Sequence, residues 1–304
     1  MEVSIIIVNW NTKQLLADCI DSIYSSPPGV DFDIWVVDNF SSDGSPEMVR
    51  ERFPKVQLID NKENIGFARA NNQAMRKCQG KYILLLNPDT VVNPDAIVEL
   101  VDFLNQTPQA GMVGARLINP DRSLQESAFP LPTLFSEFWR MFHLDYFVNV
   151  ANYPMDEWRL DSAKEVDTLL GACMLIRREA LEQDDIFDED YFIYSEEVDL
   201  CTRLKKTGWH LYWDPNAVVM HYGAQSTQQV AEEMFLRLYE GKILYFRKYR
   251  SRISVLVYKL ILFLATIPRL FLTPFTLFEN PVEREKHLLI SKNYKRLLWS
   301  LPRL

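Results

Sequence analysis

Residues 82 to 93, YILLLNPDTVVN, decide how the rest of the chain is read. Tyr82 to Leu86 is an unbroken apolar run without helical periodicity, bounded upstream by Gly80, and it predicts a strand buried on both faces of a parallel sheet. Asn87, Pro88, Asp89 and Thr90 follow at the carboxyl end of that strand, the edge where open α/β sheets take ligands. Asp89 places a hard oxygen donor there. The same four residues also make an ordinary Asn-Pro-Asp turn, so the remaining sequence decides between the two readings.

Upstream, Val3 to Val8 (VSIIIV) predicts a first strand ending in Asn9, Trp10 and Asn11. Thr12 then caps a helix whose Leu15, Leu16, Cys19, Ile20 and Ile23 recur on one face, with Pro27, Pro28 and Gly29 ending it. Ile34 to Val37 is the next strand and delivers Asp38, followed by the turn-rich NFSSDGS of residues 39 to 45, where Ser45 and Pro46 form a cap and first-position pair. Val56 to Ile59 is a third strand, and Asn64, Ile65 and Gly66 turn into a helix carrying Arg69, Asn71 and Asn72. Downstream, Asn93 and Pro94 start a helix through Leu104, and Met112 to Ile118 is a further strand. This βαβα rhythm predicts an α/β fold with a twisted, mainly parallel sheet.

Residues 119 to 165 are irregular and aromatic, and read either as a subdomain core or as a substrate-facing wall. Asp167 to Ile176 reads as one strand, with Gly171 and Ala172 permitting close approach of a ligand. An acidic loop containing Asp184, Asp185, Asp188, Glu189 and Asp190 leads to an amphipathic helix capped by Ser195, with Glu196, Glu197 and Asp199 in its first turn, where acids also suit the helix dipole. Trp209 to Trp213 and Ala217 to Met220 read as two strands, the second ending at His221, and residues 228 to 249 as a long helix.

The charge is bipolar. Of 33 Lys+Arg and 41 Asp+Glu, 13 and 3 lie from Lys242 onward, leaving 20 and 38 in residues 1 to 241. An acidic body argues against wrapping nucleic acid. From Ile253 to Phe278 the chain is apolar, interrupted by Lys259 and Arg269 and by Pro268 and Pro274, and flanked by Arg247, Lys248, Arg250 and Arg252 on one side and Arg284, Lys286, Lys292, Lys295 and Arg296 on the other. Uncharged runs no longer than nine residues predict an interfacial helix pair on an anionic membrane rather than a span. Packing on the body or in a homodimer is the competing reading. The four cysteines, Cys19, Cys78, Cys173 and Cys201, form no CxxC pair, and no charged-then-apolar leader precedes the first strand, so a cytoplasmic protein on the inner membrane face is expected.

VSIIIVNWNT at 3 to 12, VVDNFSSDGS at 36 to 45, NIGFARANN at 64 to 72, LLLNPDT at 84 to 90, GACMLIRREAL at 171 to 181, YSEEVDLCTRLKKTG at 194 to 208 and HYGAQS at 221 to 226 together resemble family 2 glycosyltransferases, in particular the rhamnosyltransferase-like branch of bacterial surface polysaccharide assembly. The resemblance implies a GT-A nucleotide-sugar-binding sandwich over residues 1 to 250, with 119 to 165 as a variable acceptor-side insert and 251 to 304 as a basic helical tail that associates with membrane. It implies an inverting transfer of one sugar from a dTDP- or UDP-sugar, dTDP-rhamnose first, to a glycan or lipid-linked acceptor. Asp38 matches the acid that binds the donor base, with Asn9 and Asn11 beside it, Asn64 and Gly66 in the neighbouring turn, and Arg69 at a position facing base and ribose. Asp89 matches the second acid of an Asp-X-Asp signature that holds a divalent cation, Mg2+ or Mn2+, while Asn87 replaces the first. His221 matches a metal-supporting histidine. Glu197 matches the general base, with Glu196 as its rival and Asp199 in an orienting role. No Gln-X-X-Arg-Trp signature of processive synthases follows residue 221, so one sugar per encounter is expected.

Two other classes fit parts of the chain. A sugar nucleotidyltransferase shares a similar sheet, but its triphosphate calls for a first loop rich in glycine and basic residues, and Asn9-Trp10-Asn11-Thr12 has no glycine. A catalytically inactive nucleotide-sugar-binding scaffold would not require Asp38, Asp89 and Glu197 together.

Overall fold

Five consecutive apolar side chains cannot all face one side of a strand, so Tyr82 to Leu86 needs cover on both faces and lies at the middle of a sheet. The computed structural model that shows this describes residues 1–25, 29–181, 186–271 and 281–304, with side chains of the last segment from 287 onward. The expectations at Pro27, Pro28, Asp184, Asp185 and Pro274, and the side chains of Arg284 and Lys286, lie outside the described residues. The chain forms two units, Met1–Leu131 with Pro154–Gln229, and Pro132–Tyr153 with Val230–Leu304. The division between the units falls inside the 119 to 165 insert and between Gln229 and Val230.

The first unit runs β1 (Val3–Asn9), α1 (Lys13–Ser25), β2 (Phe32–Asp38), α2 (Ser45–Arg52), β3 (Gln57–Asp60), α3 (Phe67–Met75), β4 (Tyr82–Leu86), β5 (Thr90–Val92), α4 (Ala96–Gln106), β6 (Ala110–Ile118) and β7 (Ala128–Phe129). After α5 (Leu134–Met141), which belongs to the second unit, it resumes with β8 (Lys164–Glu165), β9 (Thr168–Leu169), β10 (Cys173–Arg177), α6 (Glu196–Lys206) and β11 (His210–His221). The main sheet has the order β3-β2-β1-β4-β10-β6-β11-β5, with β8 paired to β11. β1, β2, β3, β4, β6 and β11 share one direction, and β5, β8 and β10 oppose it. The sheet is thus mixed and mostly parallel.

Local chemistry corrects several expected boundaries. Asp167 to Ile176 is two strands, because Leu170 N donates to Ser127 O (2.8 Å) while Ala172 O accepts from Asn87 N (2.9 Å), and the chain changes sheets at Gly171. The two strands expected around residue 215 are one, β11, whose register shifts between Asp214 and Val218; Pro215 has no amide to give the ladder and is carried by that bulge. None of the three expected capping hydroxyls caps its helix. Thr12 Oγ1 donates to Asn9 Oδ1 (2.7 Å), and Asp43 Oδ2 instead accepts the first amide of α1 from Lys13 (2.8 Å). Ser45 is the first residue of α2 and donates to Asp43 Oδ1 (2.6 Å). Ser195 sits at φ 71° and makes no side-chain cap.

The second unit packs α5 with α7 (Ala231–Tyr249), α8 (Arg252–Phe271) and α9 (Pro281–Ser300) around Tyr239, Ile243, Phe246, Tyr258, Leu262, Ala265 and Leu297. A buried carboxylate must be paired, and Glu137 on α5 accepts from Arg140 (2.9 Å), Lys242 (2.8 Å) and the Tyr258 hydroxyl (3.2 Å), which ties α5 to α7 and α8. The expected break at Pro268 does not occur, and Arg252–Phe271 is one helix with Pro268 inside its last turn. By length and composition, with a mean hydropathy of 1.8 over 18 residues, it is long enough and apolar enough to cross a membrane, and a third of that window is buried.

Candidate active site

Parallel pairing aligns Asn9 with Asp38 and Ile6 with Leu85, so the ends of β1, β2 and β4 reach one edge of the sheet. Buried there, Asp38 is 1% exposed, and its two oxygens accept from Asn9 Nδ2 and Ser41 N, both at 2.8 Å. Asn11, at φ 52°, accepts from Ser42 N (2.7 Å). Asn39 joins this loop to the next by donating to Asn64 Oδ1 (2.8 Å) and Gly66 O (3.2 Å) and accepting from Ile65 N (3.1 Å). Gly66 has φ 88°, and an added Cβ would lie 2.6 Å from the carbonyl oxygen of Phe192, so only glycine fits. Arg69 on α3 is directed to Glu189 at 3.7 Å and its side chain is 57% exposed.

Beside these loops lies a cavity of about 410 Å³ whose lining includes Asn87, Asp89, Glu196, Glu197 and His221, together with Val8 of β1 and Phe67 of α3, the chain neighbours of Asn9 and Gly66. The antiparallel β5–β11 pair sets Thr90 opposite His221 and so brings the histidine to Asp89. His221 Nε2 is 3.3 Å from Asp89 Oδ1, with both side chains about 7% exposed, and 3.4 Å from Asn87 Nδ2. On the other side of the ring, Nδ1 lies 2.7 Å from Gln125 Oε1. Gln125 Nε2 donates to Asn119 Oδ1 (2.8 Å) and His221 O (3.2 Å), which assigns the amide and makes Oε1 the acceptor of Nδ1–H. With Nδ1 engaged in this way, Nε2 is turned toward Asp89, the second-sphere arrangement that orients histidine ligands.

Among the described residues no group of three or more His, Cys, Asp or Glu side chains is arranged to hold a metal. Asp89 Oδ1 and His221 Nε2 nonetheless form a two-donor edge, and a divalent cation that shares its ligands with substrate phosphates asks for little more from protein.

The opposite wall comes from the start of α6. Tyr194 and Ser195 both adopt positive φ, 69° and 71°, a strained pair that turns the chain sharply into the helix. Glu196 is 4% exposed, and burial, reinforced by the charges of Glu197 and Asp199, pushes its carboxyl well above the usual range. Its Oε2 has no hydrogen-bond partner. Burial thus disfavours the ionised form of Glu196. Asp199, although in the same turn, is bonded to Arg203 Nε (2.8 Å) and is not part of the cavity wall.

The structure thus gathers Asn87, Asp89, His221, Glu196 and Glu197 around one space and Asn9, Asn11, Asp38, Asn64 and Gly66 into the hydrogen-bonded loops beside it, while Arg69 and Asp199 engage acidic and basic partners elsewhere. Gln125 was not anticipated. It lies 96 residues from His221, and nothing local in its sequence marks the contact.

A family model described as glycosyltransferase-like family 2 matches residues 2–239. An N-acetylglucosaminyl-diphospho-decaprenol L-rhamnosyltransferase of Mycobacterium tuberculosis is 32% identical over 221 residues, covering 64% of this chain and 67% of the relative. The rhamnosyltransferase WbbL of Escherichia coli is 27% identical over 177 residues, covering 56% and 66%. Among solved structures, the mannosyltransferase PcManGT of Pyrobaculum calidifontis, in complex with GDP-Man and Mn2+, superimposes with a TM-score of 0.57 at 18% identity over 98% of this chain and 87% of its own, a likeness of fold. The family match runs without a break through the β4 edge, the start of α6 and His221, the segments that enclose the cavity, and on that ground the chain belongs to glycosyltransferase family 2 and is a glycosyltransferase.

Proposed function

We propose that the enzyme moves one sugar per encounter from a nucleotide-sugar, dTDP-rhamnose first and a UDP-sugar otherwise, to a glycan or lipid-linked acceptor, with inversion at the anomeric carbon. The observation that carries this reading is that Asp89, His221 and Glu197 line one cavity. Inversion by single displacement needs one base for the acceptor hydroxyl and one means of stabilising the departing diphosphate. Glu197 is the base. Burial raises the carboxyl of its neighbour Glu196 well above the usual range and so disfavours the ionised form that a base needs. Asp89 and His221 would hold the divalent cation, Mg2+ or Mn2+, which when bound supplies positive charge to the diphosphate. Asn87 supports them, and the loops carrying Asn9, Asn11, Asp38, Asn64 and Gly66 hold the nucleoside, with Arg69 and Asp199 placing the walls. The bound GDP-Man and Mn2+ of the mannosyltransferase neighbour and the diphospho-decaprenol in the name of the mycobacterial relative support this assignment of donor, cation and lipid-linked acceptor.

Membrane association at the inner face of the cell membrane is part of the proposal. It is supported by the exposed apolar side chains Ile253, Leu256, Leu260, Phe263 and Leu264 along α8. The positive rim is reduced by pairing, since Lys292 and Arg296 both reach Glu232, at 2.7 and 3.1 Å.

The test is to offer dTDP-rhamnose and a panel of UDP-sugars with Mg2+, Mn2+ or EDTA, and to read the anomeric configuration of the product by NMR. A retained configuration rejects Glu197 as the base of a single displacement. Release of pyrophosphate from a nucleoside triphosphate and a sugar phosphate would install the nucleotidyltransferase reading instead.

A further inference from the structure

A second and larger cavity, about 1010 Å³, lies in the first unit against the outer strands β6 and β11. Arg116 on β6 and Arg122 in the following turn both line it. Neither guanidinium has a hydrogen bond or ion pair with any described residue, and Nε of Arg116 is buried without a partner. A buried donor of this kind costs free energy unless a ligand or solvent satisfies it. Asp156 is the single carboxylate on the wall, so the cavity carries an excess of positive charge. Trp158, set edge-on to Trp213 at 5.2 Å, adds an aromatic side chain to the lining.

The cavity shares a partition with the active site. Leu124 and Met220 line it, while their chain neighbours Gln125 and His221 line the smaller cavity. Successive side chains of an extended segment point to opposite faces, so one wall separates the two spaces.

We propose that this cavity binds a phosphate-bearing saccharide. Two guanidinium groups recognise phosphate through charge-assisted, forked hydrogen bonds, and an aromatic ring in the same cavity suits the apolar face of a pyranose. Resting on the transferase reading for its biological meaning, the assignment makes this the subsite for the part of the acceptor that does not react, held next to the wall that carries His221.

Binding to the full-length chain is measured by calorimetry with glucose 1-phosphate and N-acetylglucosamine 1-phosphate, against the free sugars and inorganic phosphate. At least one sugar phosphate is expected to bind at least tenfold more tightly than either its sugar or phosphate alone. Arg116→Gln and Arg122→Gln should each weaken it at least tenfold, with thermal melts confirming folding, whereas Asp89→Ala in the smaller cavity should leave it unchanged. Should Arg116→Gln fail to fold, Arg122→Gln on its exposed turn decides alone. Absence of sugar phosphate binding, equal binding of inorganic phosphate, indifference to the arginine substitutions or loss on Asp89→Ala each overturns the proposal. Intact binding in a chain that transfers no sugar rejects the transferase mechanism alone, and transfer without this binding rejects the subsite alone.

Discussion

Glu196 and Glu197 are adjacent in sequence and opposite in circumstance. Glu197→Gln is expected to lower kcat by roughly 100-fold or more with little change in donor affinity, because it removes the proton acceptor and no donor contact. Rapid-quench or steady-state kinetics on both single variants assign the base, and a dead Glu196→Gln beside an active Glu197→Gln would reverse the assignment. Glu196 has a separate signature in stability. In the unfolded chain it ionises in the usual glutamate range, whereas the folded chain retains the proton well above that range, so its contribution is full at acid pH and is lost as pH rises between the two values. Glu196→Gln abolishes that loss. The variant should gain stability over the parent between pH 5 and 8, by no more than about 1.4 kcal/mol per pH unit, measured in urea melts. Superimposable differences at both pH values would mean that Glu196 is ionised in the folded protein. Gln125 acts through His221, and Gln125→Ala should weaken Mn2+ binding by about 10- to 100-fold with less effect on nucleotide binding in the absence of metal, a split that isothermal titration resolves.

At the scale of elements, the site depends on loops that the strands only deliver. The turn at Asn64 to Gly66 is fixed by Asn39 on one side and by Phe67 N donating to Phe192 O (2.7 Å) on the other. Gly66→Ala would force both an unfavourable φ and a backbone clash, and is expected to cost about 2 kcal/mol or more while raising the donor KM. Chemical denaturation and initial-rate kinetics measure the two effects, and an unperturbed variant would show that the turn relaxes freely. The edge strand β5 has the same dependence on partners. Three residues, Thr90 to Val92, make a strand only because β11 returns antiparallel beside them, and that pairing is what sets His221 beside Asp89.

For the whole molecule, the basic and apolar tail is a structural part of a second unit. α8 buries Tyr258, Ile261, Leu262 and Ala265 against α5, α7 and α9, so truncation after Lys248 would strip cover from Tyr239, Ile243 and Phe246 and is expected to give aggregated protein. Substituting the outward side chains avoids that loss. Replacing Leu256, Leu260 and Phe263 by Gln should leave the melting temperature within a few degrees and sharply reduce sedimentation with anionic liposomes, since burying each such side chain in lipid contributes about 1.5–3 kcal/mol. Full retention on liposomes would place the membrane contact elsewhere.

Sequence alone determined the buried strands, because Val3 to Val8 and Tyr82 to Leu86 are apolar at every position save Ser4 and need two covered faces. It also determined that acids close the strands and open α6, because order along the chain and short-range periodicity are local properties. The composition of the tail and the split of charge were equally legible. Tertiary structure decided the rest. Ser4 is tolerated at a buried position because its hydroxyl accepts from Gly80 N (2.9 Å), a contact 76 residues long. That the Glu196 carboxyl is raised depends on burial, that His221 faces Asp89 depends on strand register, and that Gln125 reaches the ring depends on a contact 96 residues long. Helix α8 continues through Pro268 in its last turn, after burying Tyr258, Ile261, Leu262 and Ala265 in the core of the second unit. Each of these outcomes is set by which distant groups exclude water or complete a hydrogen bond, and pairings of that kind have no period along the chain.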